Sequence, residues 1–179
     1  MITSCIIFLA TLGTADVVNE NDYINEYQNC LDNVPKVMYQ YADLFYEFFD
    51  EENISTAVRI GWCESRGKET AYNSGANDSG VMQFVPWTWN WVAEKMGSHR
   101  WGEWSVMYDG RPYLKQEVSK SSLNFEIVQV QFSSYYNILY ASYLAEDIYG
   151  SVRWDDWQPS KWCWSDESKW IERWKRENA

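Results

Sequence analysis

Ile54, Ala57, Val58 and Gly61 recur at helical spacing, which predicts a helix over about 54–65 that closes on Trp62-Cys63-Glu64-Ser65-Arg66. At roughly 100° per residue, Glu64 falls near the line of Ala57, Ile60 and Gly61, so it leaves the helix from the apolar side. A carboxyl group so placed is partly withdrawn from water. Its charged form is disfavoured, and it is expected to hold a proton near neutral pH. The plainer reading is a glutamate paired with Arg59 or Arg66, or one that caps the helix end. Residues 66–81 then turn rich in Gly, Asn and Ser and predict a loop or small hairpin. Asp78-Ser79-Gly80-Val81-Met82-Gln83-Phe84-Val85-Pro86 follows, with Pro86 at a helix start, Trp87, Trp91, Val92 and Met96 as its stripe, and Gly97 as its stop. An acid at a helix end, followed by a Gly-led, Gln-containing segment, suits acid catalysis on a polymer lying in a groove. A glycan is the leading candidate.

The other periodicities are also helical. Residues 22–50 predict a helix in which Pro35 is tolerated near the start and Val37, Met38, Tyr41, Leu44, Phe45 and Phe48 form the stripe, until Asp50-Glu51-Glu52-Asn53 breaks it and offers N-caps. Ser133 or Ser134 caps a further helix carrying Ile138, Ala141, Ala145 and Ile148, stopped by Gly150. Residues 98–123 show no regular period, and a strand is expected only around Asn73–Phe84. With 179 residues the chain can bury a real core. The expected architecture is mostly α, a single globular domain with a groove and at most a small hairpin. Along the chain this gives a leader over 1–15, a helical segment over 16–50, the main domain over 51–165 and a tail over 166–179.

Composition narrows the function. A net charge of −11 works against unspecific attraction to nucleic acid, which needs a basic face, and against simple attraction to anionic walls or membranes. Groove binding would then rest on stacking and hydrogen bonds. Aromatic residues make up 18% of the chain, and tryptophan beyond what a small core holds suits the flat face of a pyranose ring. The uncharged run from Met1 to Ala15 is too short to span a bilayer, and Gly13 and Ala15 offer small residues for cleavage before Asp16. It lacks a basic start. A secretory signal is the expected reading, with a buried N-terminal strand or helix as the alternative, and it places the protein outside the cell or in a periplasm. Its removal takes Cys5 and leaves Cys30, Cys63 and Cys163, of which two would pair. Three pairings are open; Cys63–Cys163 is favoured because it pins the end of the glutamate helix to the Trp-rich C-terminal stretch. A single histidine, His99, leaves a His-based triad or a zinc site without partners, and no phosphate-binding Gly loop is present. No metal or cofactor is expected.

In order along the chain, Cys63-Glu64-Ser65, Ala71-Tyr72-Asn73, Ser74-Gly75-Ala76 and Gly80-Val81-Met82-Gln83-Phe84-Val85-Pro86 resemble the soluble lytic transglycosylase catalytic domain, within the lysozyme-like superfamily that includes goose-type lysozymes. Asn137-Ile138 and Tyr143-Leu144 look like that family's Asn-Ile…Tyr-Leu helix, and Trp154, Trp157 and Cys163-Trp164 are similar to the ending of small secreted members. The resemblance covers roughly 52–165. It implies a monomer acting on peptidoglycan or a related N-acetylated glycan. Glu64 would protonate the bond between N-acetylmuramic acid and N-acetylglucosamine, then accept the proton of the muramyl 6-hydroxyl as that oxygen closes a 1,6-anhydro ring. Ser65, Asn73, Ser79 and Gln83 would bind sugar or orient Glu64, and Met82, Phe84 and Tyr143 would form apolar and stacking walls. Asn77-Asp78-Ser79 stands where the family has one residue. Asp78-x-Gly80 with Gln83 is similar to the segment that carries the second carboxylate of animal c-type lysozymes, so Asp78 is a candidate second acid, or else a turn residue. The alternatives are therefore a hydrolytic lysozyme, muramidase or chitinase-like, and a glycan-binding module without turnover.

Overall fold

The computed structural model describes residues 1–12, 20–112 and 125–177. It is mostly helical, as expected, and forms two compact units. One joins Met1–Gly67 with Arg153–Ala179, and the other is Lys68–Val152. Both boundaries fall inside the expected 51–165 segment.

The first unit is helical throughout. Helix α1 (Ile2–Thr11) packs on α3 (Ala42–Phe48) and α4 (Glu51–Ser65), with Ile2, Cys5 and Ile6 fully buried. The N-terminal run is thus part of a core in this chain, the alternative named above, and Cys5 is bonded to Cys30 at the end of α2 (Glu20–Asn33). The single helix expected over 22–50 is three pieces. Pro35 has no N–H and holds the chain extended at ψ 130°, so α2 stops at Asn33 and a 3-10 turn, Lys36–Tyr41, precedes α3. Glu51 and Glu52 sit in the first turn of α4, where the helix dipole favours negative charge. Its other end stops at Arg66, which adopts the left-handed conformation and returns its N–H to the Trp62 carbonyl. The C-terminal part adds a 3-10 turn (Asp155–Ser160), α7 (Lys161–Trp164) and α8 (Glu167–Glu177). Trp170 is fully buried edge-on against Trp62, and Glu177 pairs with Arg66 at 2.9 Å.

The second unit holds the strands. A short hairpin, β1 (Tyr72–Asn73) and β2 (Asp78–Ser79), pairs in register Tyr72↔Ser79 and Asn73↔Asp78. Helix α5 (Pro86–Met96) begins with Pro86 and stops at Gly97 in the left-handed region, as the sequence predicts. Residues 98–123 are not simply irregular: their described part contains β3 (Trp104–Tyr108) and β4 (Arg111–Pro112), which with β5 (Phe125–Gln129) form an antiparallel sheet of order β4-β3-β5. Residues 113–124 lie outside the described residues. One face of this sheet, with Trp104, Val106 and Tyr108 opposite Gln129, Ile127 and Phe125, leaves its apolar side chains largely exposed. Helix α6 (Ser134–Ser142) starts just after Ser133 and continues into a π turn, Tyr143–Asp147. Among the described residues no helix is long and apolar enough to cross a membrane.

Candidate functional site

Glu64 lies in the last turn of α4, in the first unit. The stripe beneath it is buried, Ala57 and Ile60 completely, and Glu64 itself is half-buried. The two nearby arginines make hydrogen bonds of their own. Arg66 engages Glu177 and the Trp62 and Cys63 carbonyls, while Arg59 donates to the Trp164 carbonyl at 2.5 Å and to Thr56 Oγ1. Burial holds the Arg59 guanidinium below its ordinary range, against the opposing pull of Glu167. The Glu64 carboxylate accepts a hydrogen bond at Oε1 from Ser160 Oγ. Ser160 Oγ in turn accepts from Trp164 Nε1 at 3.0 Å and is 3.1 Å from the Trp157 carbonyl. Cys63 and Cys163 are bonded, the pairing favoured from sequence, and this ties the residue before Glu64 to the residue before Trp164. Sequence reasoning missed Ser160: it is 96 positions from Glu64 and no spacing or motif points to it.

Ser65 is a structural residue. It is buried, donates to the Gly61 carbonyl at 2.9 Å and accepts the Gly67 N–H at 3.0 Å, which closes the helix end. The hydroxyl expected to bind sugar or orient Glu64 is engaged at the helix end.

The remaining predicted residues belong to the second unit. Ser79 and Phe84 bridge through two backbone hydrogen bonds, and Gly80–Gln83 forms the turn between them. Only glycine fits at position 80: its φ is +81°, and a Cβ there would come 2.2 Å from Asn137 Nδ2. The wholly buried Asn137 clasps the turn from α6. Its Oδ1 accepts the Met82 N–H at 2.6 Å, and its Nδ2 donates to the Ser79 carbonyl at 3.1 Å and the Gln131 carbonyl at 3.2 Å. Gln83 turns inward as well, donating from Nε2 to the Ala71 and Gly80 carbonyls at 3.2 and 2.9 Å. Met82 and Phe84 are core side chains, 0% and 3% exposed, with Phe84 edge-on to Trp89. The side chains expected as apolar and stacking walls face the core, because the turn that carries them is held there by Asn137. Tyr143 is half-buried at the start of the π turn.

Asn73 and Asp78 face each other across the hairpin, Asn73 Nδ2 donating to Asp78 Oδ2 at 3.1 Å. Asn73 Oδ1 also accepts the Gly75 N–H at 3.0 Å, which orders the loop tip. The second Asp78 oxygen, Oδ1, is buried without a hydrogen-bond partner, and so is Ser79 Oγ. Ser79 lines a cavity of about 460 Å³ together with Tyr72, Asn77, Trp101, Gln129 and Gln131. Aromatic faces, amide groups and a hydroxyl thus line one hollow. Two cavity amides are already engaged with each other, Gln131 Nε2 donating to Gln129 Oε1 at 3.2 Å. His99 stands apart from this hollow in chemistry, its Nδ1 3.2 Å from the exposed Glu103 carboxylate.

No protein-family model matches the chain, and neither a curated protein nor a solved structure matches it.

Proposed function

We propose that the chain cleaves the β-1,4 bond between N-acetylmuramic acid and N-acetylglucosamine in peptidoglycan as a lytic transglycosylase, with Glu64 as general acid and then base. The observation that carries this reading is the half-buried Glu64 carboxylate, seated at the end of α4 on a buried stripe and hydrogen-bonded by Ser160. A carboxyl group that must give up a proton and take one back works best in such a partly sheltered, hydrogen-bonded position. The second unit by itself carries a cavity lined by Ser79, Tyr72 and Trp101 and exposed Trp104 and Tyr108 rings, surfaces on which sugar rings can stack. The acidic protein reads this substrate by stacking and amide hydrogen bonds, not by charge. Secretion accords with this role, and the two disulfides suit an oxidising compartment.

Purified peptidoglycan incubated with the protein should release fragments ending in 1,6-anhydro-N-acetylmuramic acid, one water lighter by mass spectrometry than hydrolysed ends. Glu64→Gln should lower that release by about a thousandfold or more, in line with loss of a general acid. Unchanged release from Glu64→Gln would overturn the enzymatic reading.

One observation favours a second reading. Asp78 keeps one carboxylate oxygen, Oδ1, buried without a hydrogen-bond partner, and a second carboxylate is what a hydrolytic lysozyme uses. Hydrolysed ends that disappear in Asp78→Asn would establish that reading, whereas binding of glycan without any cleavage would identify a glycan-binding module.

A further inference from the structure

We infer that Ser160 is the positioning residue of Glu64, a hydroxyl that turns between two acceptors so that the carboxyl group keeps a partner in both of its protonation states. This rests on the reading of Glu64 as an acid that becomes a base. A serine hydroxyl has one proton to donate and two lone pairs to offer. Around Ser160 Oγ stand an indole N–H that can only donate (Trp164 Nε1, 3.0 Å), a carbonyl that can only accept (Trp157, 3.1 Å), and Glu64 Oε1, which does either according to its charge. With Glu64 ionised, the Ser160 proton goes to Oε1. With Glu64 protonated, the Glu64 O–H donates to Ser160 Oγ and the serine proton turns to the Trp157 carbonyl. The Trp164 indole N–H, which also reaches the Trp157 carbonyl at 3.1 Å, donates to one Ser160 lone pair throughout. Ser160 neither gains nor loses a proton in the change, and its hydroxyl both donates and accepts in each state.

The covalent frame keeps these atoms in place. Cys63 and Cys163 are bonded, Glu64 and Trp164 each follow one of these cysteines, and Ser160 ends the 3-10 turn that leads into α7. Charged groups on the elements around α4 also set the local field. On its own helix these are Glu51, Glu52 and Arg59, with Arg66 as its C-terminal cap. The 3-10 turn brings Asp155, paired with Arg153, and Asp156, whose carboxyl is pushed up by burial and by Asp155. Lys161 starts α7, and Asp43 and Glu47 lie on α3. From α8, Glu167 meets Ser55 and Glu177 meets Arg66.

A hydrogen bond to a carboxylate is stronger than one to a neutral carboxylic acid, so Ser160 favours the ionised form of Glu64. Carboxyl ¹³C NMR on the full chain, with the Glu64 resonance identified by its loss in Glu64→Gln, measures this whether or not the protein cleaves glycan. Ser160→Ala should raise the titration midpoint of Glu64 by about half to one pH unit. Ser160→Thr, which keeps the hydroxyl, should stay near wild type, and Ser160→Val, its near-isostere, should move like alanine. If alanine does not fold, the threonine–valine pair still decides. An unmoved midpoint in a folded variant without the hydroxyl overturns the assignment. A wild type that releases no fragments, together with a shifted midpoint in the variants without the hydroxyl, overturns the catalytic reading and leaves the Ser160 assignment standing. In an active enzyme, the alkaline limb of kcat/KM should move with the midpoint.

Discussion

Asn137 uses both ends of its amide to hold the 79–84 turn, and Gly80 is the residue that lets it come close. Gly80→Ala forces a left-handed backbone on alanine and a 2.2 Å contact with Asn137 Nδ2, so it should cost about 2–4 kcal/mol of stability in chemical denaturation, with no change in the oxidised disulfides. The Gly80-Val81-Met82-Gln83 segment is thus a folding device first, which the residues alone could not reveal. A buried asparagine partner 55 positions away leaves no periodic trace in the sequence. The position of Glu64 was legible, because the helical stripe that leads to it is set by local spacing. Ser65, Met82 and Phe84, read as site residues, are a cap and two core side chains. Short-range patterns show which residues cluster, but not which way a tight turn directs them.

Helix α4 is legible from its stripe, although it starts at Glu51, and α5 from Pro86 and Gly97, since both ends of α5 are fixed by residues with strong backbone preferences. The β3–β5 sheet was not, for a specific reason. In β3 the exposed positions are Trp104, Val106 and Tyr108 while Ser105 is buried, the reverse of the usual apolar-in, polar-out alternation. Ser105 is accommodated inside because its Oγ lies 3.2 Å from the Tyr136 hydroxyl. Among the elements of the first unit, the link with the largest mechanical consequence is Cys63–Cys163, which joins α4 to α7 across a separation of 100 residues. Replacing both cysteines by alanine should lower stability by about 3–5 kcal/mol, as expected for a cross-link closing so long a loop. Urea unfolding of the double variant, compared with the Cys5–Cys30 pair removed in the same way, checks that ordering.

At the scale of the whole molecule, each unit buries a tyrosine that resists ionisation. Burial pushes Tyr39 in the first unit and Tyr140 in the second up to about 12, from an ordinary value of 10.0. The folded chain keeps these protons after the unfolded chain has begun to lose them. Their contribution is complete below pH 10.0 and disappears as the pH rises towards about 12. Thermal melts should therefore show Tm falling steeply across that window. Tyr39→Phe should flatten part of the fall with little effect at neutral pH, since the Tyr39 hydroxyl makes no hydrogen bond. Tyr140→Phe also loses a 2.7 Å bond to the His99 carbonyl and should be weakened at neutral pH as well. The first unit is assembled from two distant stretches, 1–67 and 153–179, with the whole of the second unit lying between them. On a ribosome, then, residues 68–152 emerge complete while their neighbour still waits for its closing strip, and the thiol at 63 must stay unmated until codon 163 has been read.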